Sequence, residues 1–212
     1  MAISTLFVDL GGVLLANGWD GRARRQAADL FGLEPDDFDE RHHLSFGAYE
    51  EGRLSLDDYL SQVVFHRPRS FTRQTFRDFM FAQSRPFPEM LALVRDLKAR
   101  HRLRVAAVSN EGRELTAYRI ERFDLRSLCD CFVCSCFVGR RKPDPDVYRL
   151  ALDLLQAEPQ EVAYLEDREL FVEAAGRLGI LSIHHVGLQE TREALAGLEY
   201  AFPRSDEPGR RR

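Results

Sequence analysis

Ile3-Ser4-Thr5-Leu6-Phe7-Val8-Asp9-Leu10-Gly11-Gly12 is a short apolar run that ends at a carboxylate and is followed by two glycines. It reads as a buried parallel strand whose chain turns sharply just past its carboxyl end. The pattern recurs downstream: 103–108 ending at Ser109-Asn110, 131–135 before Gly139, 162–165 ending at Glu166-Asp167, and 180–183. Helical stretches lie between them at 88–100, 112–121, 144–156 and 170–178, so strand and helix alternate. That alternation predicts a three-layer α/β fold around a parallel sheet.

Residues from about 17 to 85 break the rhythm. Helical periodicity covers 22–31, 36–43, 56–65 and 72–81, with turn signals at Gly32, Gly52 and Pro68 and no convincing buried strand. The expectation is a helical insertion (17–85) dividing a core of 1–16 and 86–202, with a polar, disordered tail at 203–212. His42 and His43 sit on a charged helix of the insertion and read as solvated. Trp19 either lines a cleft or packs.

Composition excludes several classes. The 212 residues are 44% hydrophobic, enough to fill a core, and 34 acidic against 30 basic side chains leave a formal charge of -4. No long basic block precedes the last three residues, so neither nucleic acid nor an anionic membrane is an expected partner. No apolar run approaches the roughly 20 residues that span a bilayer, and the N-terminus reads directly into a strand, which gives a cytoplasmic expectation. The four cysteines fall together as CDCFVCSC (129–136). Strand alternation would turn Cys129 and Cys131 one way and Cys134 and Cys136 the other, which favours small apolar side chains in a reduced core over a thiolate metal site. Only Lys98 and Lys142 are lysine; every other basic residue is arginine.

In an open α/β sheet the ligand crevice lies beyond the carboxyl ends of the strands. Those ends carry Asp9, Ser109-Asn110 and Glu166-Asp167, with Lys142 in the loop after the Cys-rich strand. Two or three carboxylates converging would repel one another, and a divalent cation plus a lysine makes such a cluster tolerable. Hard oxygen ligands point to Mg2+ over zinc.

VDLGGVL (8–14), VSN (108–110), GRRKPDPDVY (139–148) and YLEDREL (164–170), in this order and spacing, resemble the motifs of the haloacid dehalogenase-like (HAD) hydrolase superfamily. Within it the chain is similar to phosphatases with a small helical cap on a Rossmann-like core. The start DLGGVL and the stretch GAYEEGRLSLDDYL (47–60) resemble small cytoplasmic sugar-phosphate phosphatases. The resemblance implies a small phosphorylated substrate, with Asp9 as the nucleophile that forms an aspartyl-phosphate later hydrolysed by water. It further implies Mg2+ held by Asp9, the backbone carbonyl of Gly11, Asp167, and Glu166 directly or through water. Ser109 and the backbone amide of Asn110 would hold phosphoryl oxygens, and Lys142 would stabilise their charge. The oligomeric state stays open.

Two departures stand out. Most phosphatases of this superfamily carry a second Asp two residues after the nucleophile as general acid, and here that position is Gly11. Its loss favours leaving groups that depart without a proton: an anomeric sugar phosphate, an aryl phosphate or an acyl phosphate. Where relatives often place Ser or Asn after the acidic pair, this chain has Arg168, and farther on Phe171. Arg168 either pairs with Glu166 or Asp167 and weakens metal binding, or reaches the phosphate. A catalytically weak binding protein on the same fold is one alternative. Another, 2-haloacid dehalogenation, uses an analogous Asp without metal; Glu166-Asp167 and Gly11-Gly12 argue against it.

Overall fold

The computed structural model describes residues 2–198 and 201–203. Five parallel strands, β1 (Thr5–Val8), β2 (Arg104–Ser109), β3 (Cys131–Cys134), β4 (Val162–Glu166) and β5 (Leu181–His184), stand in the order β3-β2-β1-β4-β5. The chain lays β2 and β3 outward on one side of β1, then crosses back to lay β4 and β5 on the other. That reversal leaves a crevice at the carboxyl ends of β1 and its neighbours.

Four helices follow β1: α1 (Gly21–Phe31), α2 (Pro35–Glu50), α3 (Leu56–Val63) and α4 (Arg73–Ala82). Their starts are fixed locally. Asp20 and Thr72 accept N–H groups of the first turns of α1 and α4, Pro35 opens α2, and Ser55 with Asp58 forms a capping box on α3. Their apolar faces close on one aromatic cluster, where Trp19 and Phe76 meet edge to face (5.8 Å) and Tyr49 stacks on Tyr59 (5.1 Å).

Two expectations for this segment are corrected. α2 runs to Glu50 instead of stopping at 43, because His42, Phe46 and Tyr49 continue one helical face into the aromatic cluster. His42 is therefore not solvated. It is 3% exposed, its Nδ1 pairs with the Tyr59 hydroxyl at 2.8 Å, and burial pushes its pKa down to about 3, so the ring is neutral. His43 does face solvent, beside Asp39. Trp19 does both: it packs in the aromatic cluster, where its Nε1–H donates to the Tyr59 hydroxyl at 2.9 Å, and it lines the cleft over Asp9.

The two ends of the helical segment lie side by side. Ala16 N–H donates to Arg85 O (2.7 Å), Phe87 N–H donates to Leu14 O (2.8 Å), and Leu15 bridges Pro86 antiparallel. The segment thus leaves and rejoins the core at one point, and the sheet is not stretched to admit it.

Alternation along the strands builds the two outer layers. Leu6 and Val8 face α5 (Pro88–His101), α6 (Arg113–Arg122) and α10 (Leu188–Gly197), through Val94, Ile120 and Leu195. Phe7 faces α8 (Pro145–Leu155) and α9 (Glu169–Gly176), through Val147, Tyr148 and Ala175. A single turn, α7 (Ser135–Val138), follows β3 directly. α10 is additional to the sequence reading, since Thr191 and Leu195 alone are buried on it, too thin a stripe to register as a period.

The cysteine faces need a correction. Cys131 packs with the α8 layer, but Cys129 joins Cys134 and Cys136 on the α5 side, because Cys129 precedes β3 and Cys136 lies on α7 where strand alternation does not apply. All four are free, and burial pushes the Cys129 thiol up to about 12 and Cys136 up to about 11, so they stay protonated. Among the described residues no helix is long and apolar enough to cross a membrane. The expectation of a disordered tail lies, beyond Pro203, outside the described residues.

Candidate active site

Asp9 follows β1, Ser109 ends β2, Glu166 ends β4, and Asp167 comes next. Val8 is in register with both Ala107 and Leu165, which sets Asp9 level with Val108 and Glu166. The strands thereby deliver their polar ends to one place. One carboxylate oxygen from each of Asp9, Glu166 and Asp167 lies within 4.8 Å of the others.

Lys142 enters from the loop before α8. It is 2% exposed, and its Nζ stands 3.1 Å from Asp9 Oδ2, 2.6 Å from Glu166 Oε2 and 3.1 Å from the Tyr164 hydroxyl. Asn110 splints that loop: Lys142 N–H donates to Asn110 Oδ1 (2.8 Å), and Asn110 Nδ2 donates to Lys142 O (2.9 Å). The Asn110 side chain, beyond the amide expected of it, therefore positions the lysine.

The two acids of the 166–167 pair have different surroundings. Glu166 is fully buried and accepts from Lys142, from the Tyr164 hydroxyl, and from Arg168 N–H at 3.0 Å. Asp167 has a buried Oδ1 with no partner, and its Oδ2 receives only a long contact, 3.4 Å, from Asn17 Nδ2. An orphaned buried carboxylate oxygen amid three acids is a donor set that fits a hard divalent cation. Gly12 is needed here, since its φ is +86° and a Cβ on it would run into the Asp167 carboxylate.

Burial pushes the Asp9 carboxyl from 3.8 up to about 6, with Lys142 pulling it down and Glu166 pushing it up. Burial alone would lower the Lys142 pKa, but Asp9 and Glu166 more than offset that and hold it above the usual lysine range. The raised Asp9 value makes the metal-free folded chain bind a proton more tightly than the unfolded chain between pH 3.8 and about 6. Stability from this group is therefore lost as pH rises through that window, costing on the order of 3 kcal/mol at neutral pH. In chelator at pH 7.5, Asp9→Asn is expected to melt above the parent, and the gap should close toward pH 4. A constant gap, or none, in thermal melts at the two pH values would contradict this electrostatic picture.

Over these residues lies a cavity of about 90 Å³, bounded by strand ends below and by Phe46, Tyr49 and Glu50 of α2 above. Sequence reasoning missed several of its groups. Glu111 and Arg119 form a buried ion pair, 5% and 1% exposed, and Arg119 also donates to Ser84 Oγ (3.0 Å) and Ala16 O (3.1 Å). Glu50 meets Arg141 at 2.5 Å. Tyr164, buried beside Lys142 and off the cavity wall, was also missed, though it carried a signal, since it sits two residues before Glu166 and so shares its strand face. The open question on Arg168 is answered in part, as its main chain bonds Glu166 while its guanidinium pairs with neither acid and lies 5.6 Å over the Phe171 ring.

Comparison with known proteins bears on the family and the fold. The phosphorylated carbohydrates phosphatase of Thermotoga maritima is 29% identical over 132 residues, 62% of this chain and 56% of that protein. The chain spans little more than half the length of the curated relatives it matches first, or less. Among solved structures, a HAD family enzyme of Bacteroides thetaiotaomicron in a magnesium complex superposes with a TM-score of 0.75 at 18% identity, over 87% of this chain and 93% of that one. The L-2-haloacid dehalogenase of Xanthobacter autotrophicus reaches 0.62 at 18% identity, over 92% and 83%. At such identities the likeness is one of fold. A family model described as haloacid dehalogenase-like hydrolase matches residues 3–179, and with most of its length so matched the chain belongs to that hydrolase family.

Proposed function

We propose that the protein is a magnesium-dependent phosphomonoester hydrolase that works through an aspartyl-phosphate at Asp9. The observation that carries the reading is the Asp9–Lys142–Glu166 cluster beside an Asp167 oxygen without a partner. A bound magnesium ion would be held by Asp9, Asp167 and the Gly11 carbonyl, and would neutralise charge on the substrate phosphoryl group. Glu166, with its acceptors engaged by Lys142, Tyr164 and Arg168 N–H, serves chiefly to hold the lysine.

The chain's own groups supply the rest. Asp9 Oδ attacks phosphorus in line, the bond from phosphorus to the leaving oxygen breaks, and that oxygen takes the electron pair. Water then attacks phosphorus and the Asp9–phosphorus bond breaks; one of the water's protons stays on the released phosphate and the other, through solvent, neutralises the departed oxygen. Lys142 meets developing phosphoryl charge, joined by the Ser109 hydroxyl and the Asn110 amide. Residues 17–85 act as a cap over the core of 1–16 and 86–202, excluding water above Asp9. The four unpaired thiols support a reducing, cytoplasmic setting.

Gly11 limits the substrate. A Cβ there would stand 2.9 Å from Asn17 Oδ1 and 3.7 Å from Arg119 Nη1, neither of which is a proton donor of carboxylic-acid strength. With no carboxylic acid at this position, esters whose leaving groups need no proton, the anomeric sugar, aryl and acyl phosphates, are preferred. The test is phosphate release from a series of aryl and alkyl phosphates, with and without Mg2+. Metal-dependent turnover should fall steeply with leaving-group pKa, alkyl esters lagging by about 100- to 10,000-fold, the usual worth of a general acid. A flat dependence would remove the assignment of Gly11, and no turnover across the series would leave a binding protein.

A further inference from the structure

The cavity above Asp9 contains four cationic side chains, and three have carboxylate partners. Lys142 has Asp9 and Glu166, Arg119 has Glu111, and Arg141 has Glu50. The remaining lining acid, Asp20, is occupied in capping α1 through the N–H of Ala23 at 2.8 Å. Arg168, exposed at the mouth of the cavity, is left over: among the described residues its guanidinium has no carboxylate within ion-pair distance and no hydrogen bond. Its main-chain N–H is fixed on Glu166, and its guanidinium rests over the Phe171 ring at 5.6 Å. The ammonium of Lys142 approaches the same ring at 5.1 Å.

Glu50 connects Arg168 to Arg141. Burial pushes the Glu50 carboxyl up, while Arg141 and then Arg168 pull it down, so the acid lies within the field of both guanidinium groups. One carboxylate against two guanidiniums leaves this end of the cavity with a positive charge in excess. That charge is separate from Lys142, whose neighbours are Asp9, Glu166 and Tyr164. Asp20 belongs to the first turn of α1, so at the Arg141–Arg168 end the unmatched group is a forked donor, which suits an anion.

Resting on the phosphatase reading above, we propose that the substrate carries a second anionic group, a carboxylate or a second phosphate, which Arg168 receives together with Arg141. The two cations near the Phe171 ring then hold the two ends of one short molecule. The transferred phosphoryl group lies at Asp9 and Lys142, and the second anion lies at Arg168. Substrates with one anion leave this end of the cavity uncompensated and bind less well.

The test uses substrates matched in leaving group. Phenyl phosphate is compared with 3-carboxyphenyl phosphate, and glucose 1-phosphate with glucose 1,6-bisphosphate, on the parent, Arg168→Gln and Arg168→Ala. The parent should prefer the two-anion member of at least one pair, and which pair responds distinguishes carboxylate from phosphate. Either substitution should lower kcat/KM for that member by about 10- to 100-fold, the worth of one or two charge-assisted hydrogen bonds, mainly through KM. The one-anion member should lose less than about 3-fold, since its contacts lie elsewhere. Equal losses on both members would place Arg168 on the transferred phosphoryl group and overturn the proposal, as would no loss on either. A parent that hydrolyses the one-anion esters without preference for a second anion overturns this inference alone; a parent inactive on every phosphate overturns the phosphatase reading and this inference with it.

Discussion

Asp9→Asn is expected to lower magnesium-stimulated phosphate release by on the order of 10^4-fold or more, the scale of loss when a covalent nucleophile is removed. The substitution is nearly isosteric. The amide oxygen can still accept the Leu10 N–H that Asp9 Oδ1 accepts at 2.8 Å, and Lys142 retains Glu166 at 2.6 Å. Folding should therefore persist, and the loss should belong to chemistry. Two measurements check it: steady-state release from para-nitrophenyl phosphate, and acid-quenched phosphoenzyme, present in the parent and missing in the variant. Substantial residual turnover would move the nucleophile to another residue. Combined with the expected gain in metal-free stability, the variant separates the two roles of this carboxylate, since one substitution abolishes the reaction while relieving a buried charge.

Lys142→Arg should reduce turnover by about 100- to 1,000-fold, comparable to removing one donor from a preorganised charge-stabilising site. The ammonium is enclosed by three oxygens in a pocket that leaves it 2% exposed, and the loop carrying it is held by Asn110. A planar guanidinium is wider than an ammonium and cannot present donors to the same three acceptors. Lys142→Met should go further and destabilise the fold by about 3–5 kcal/mol, because Asp9 and Glu166 would remain buried without a counter-charge. Lys98 is the internal control. Its ammonium binds Asp130 and the Leu128 carbonyl near the surface, where arginine can reach, so Lys98→Arg should retain parent activity. Equal kcat/KM in the two arginine variants would count against Lys142 as a site residue.

The parallel sheet was legible because its strands are buried on both faces and so appear as uninterrupted apolar runs, each closed by a polar residue at the end that faces the crevice. The polar residues expected to converge, Lys142 excepted, sit within one or two positions of those ends, and they meet because the register of β1, β2 and β4 leaves little freedom. What was not legible depends on side chains reaching between distant segments. Asn110 and Lys142 meet across 32 residues, and Arg119 reaches Ala16 across 103. Nothing local distinguishes Arg119 from the other arginines of the chain. His42 misled for a related reason, since its neighbours along the sequence are charged while its neighbours in space are Phe46 and Tyr59. The cysteines show the limit of periodic reasoning, which holds for Cys131 and Cys134 inside β3 and fails for Cys129 and Cys136 on either side of it.

The pinning of both crossings by Arg119 has a consequence for how this architecture could be rebuilt. One guanidinium anchored on α6 holds the outgoing connection at the Ala16 carbonyl and the returning connection at the Ser84 hydroxyl. The helical segment between them is thus keyed at its root by one side chain, while contacts such as Glu50–Arg141 seat it farther out. A different set of helices could be grafted at the same two points, provided that the joint keeps a small hydroxyl at 84 and glycine at 18, where any side chain would collide with the key.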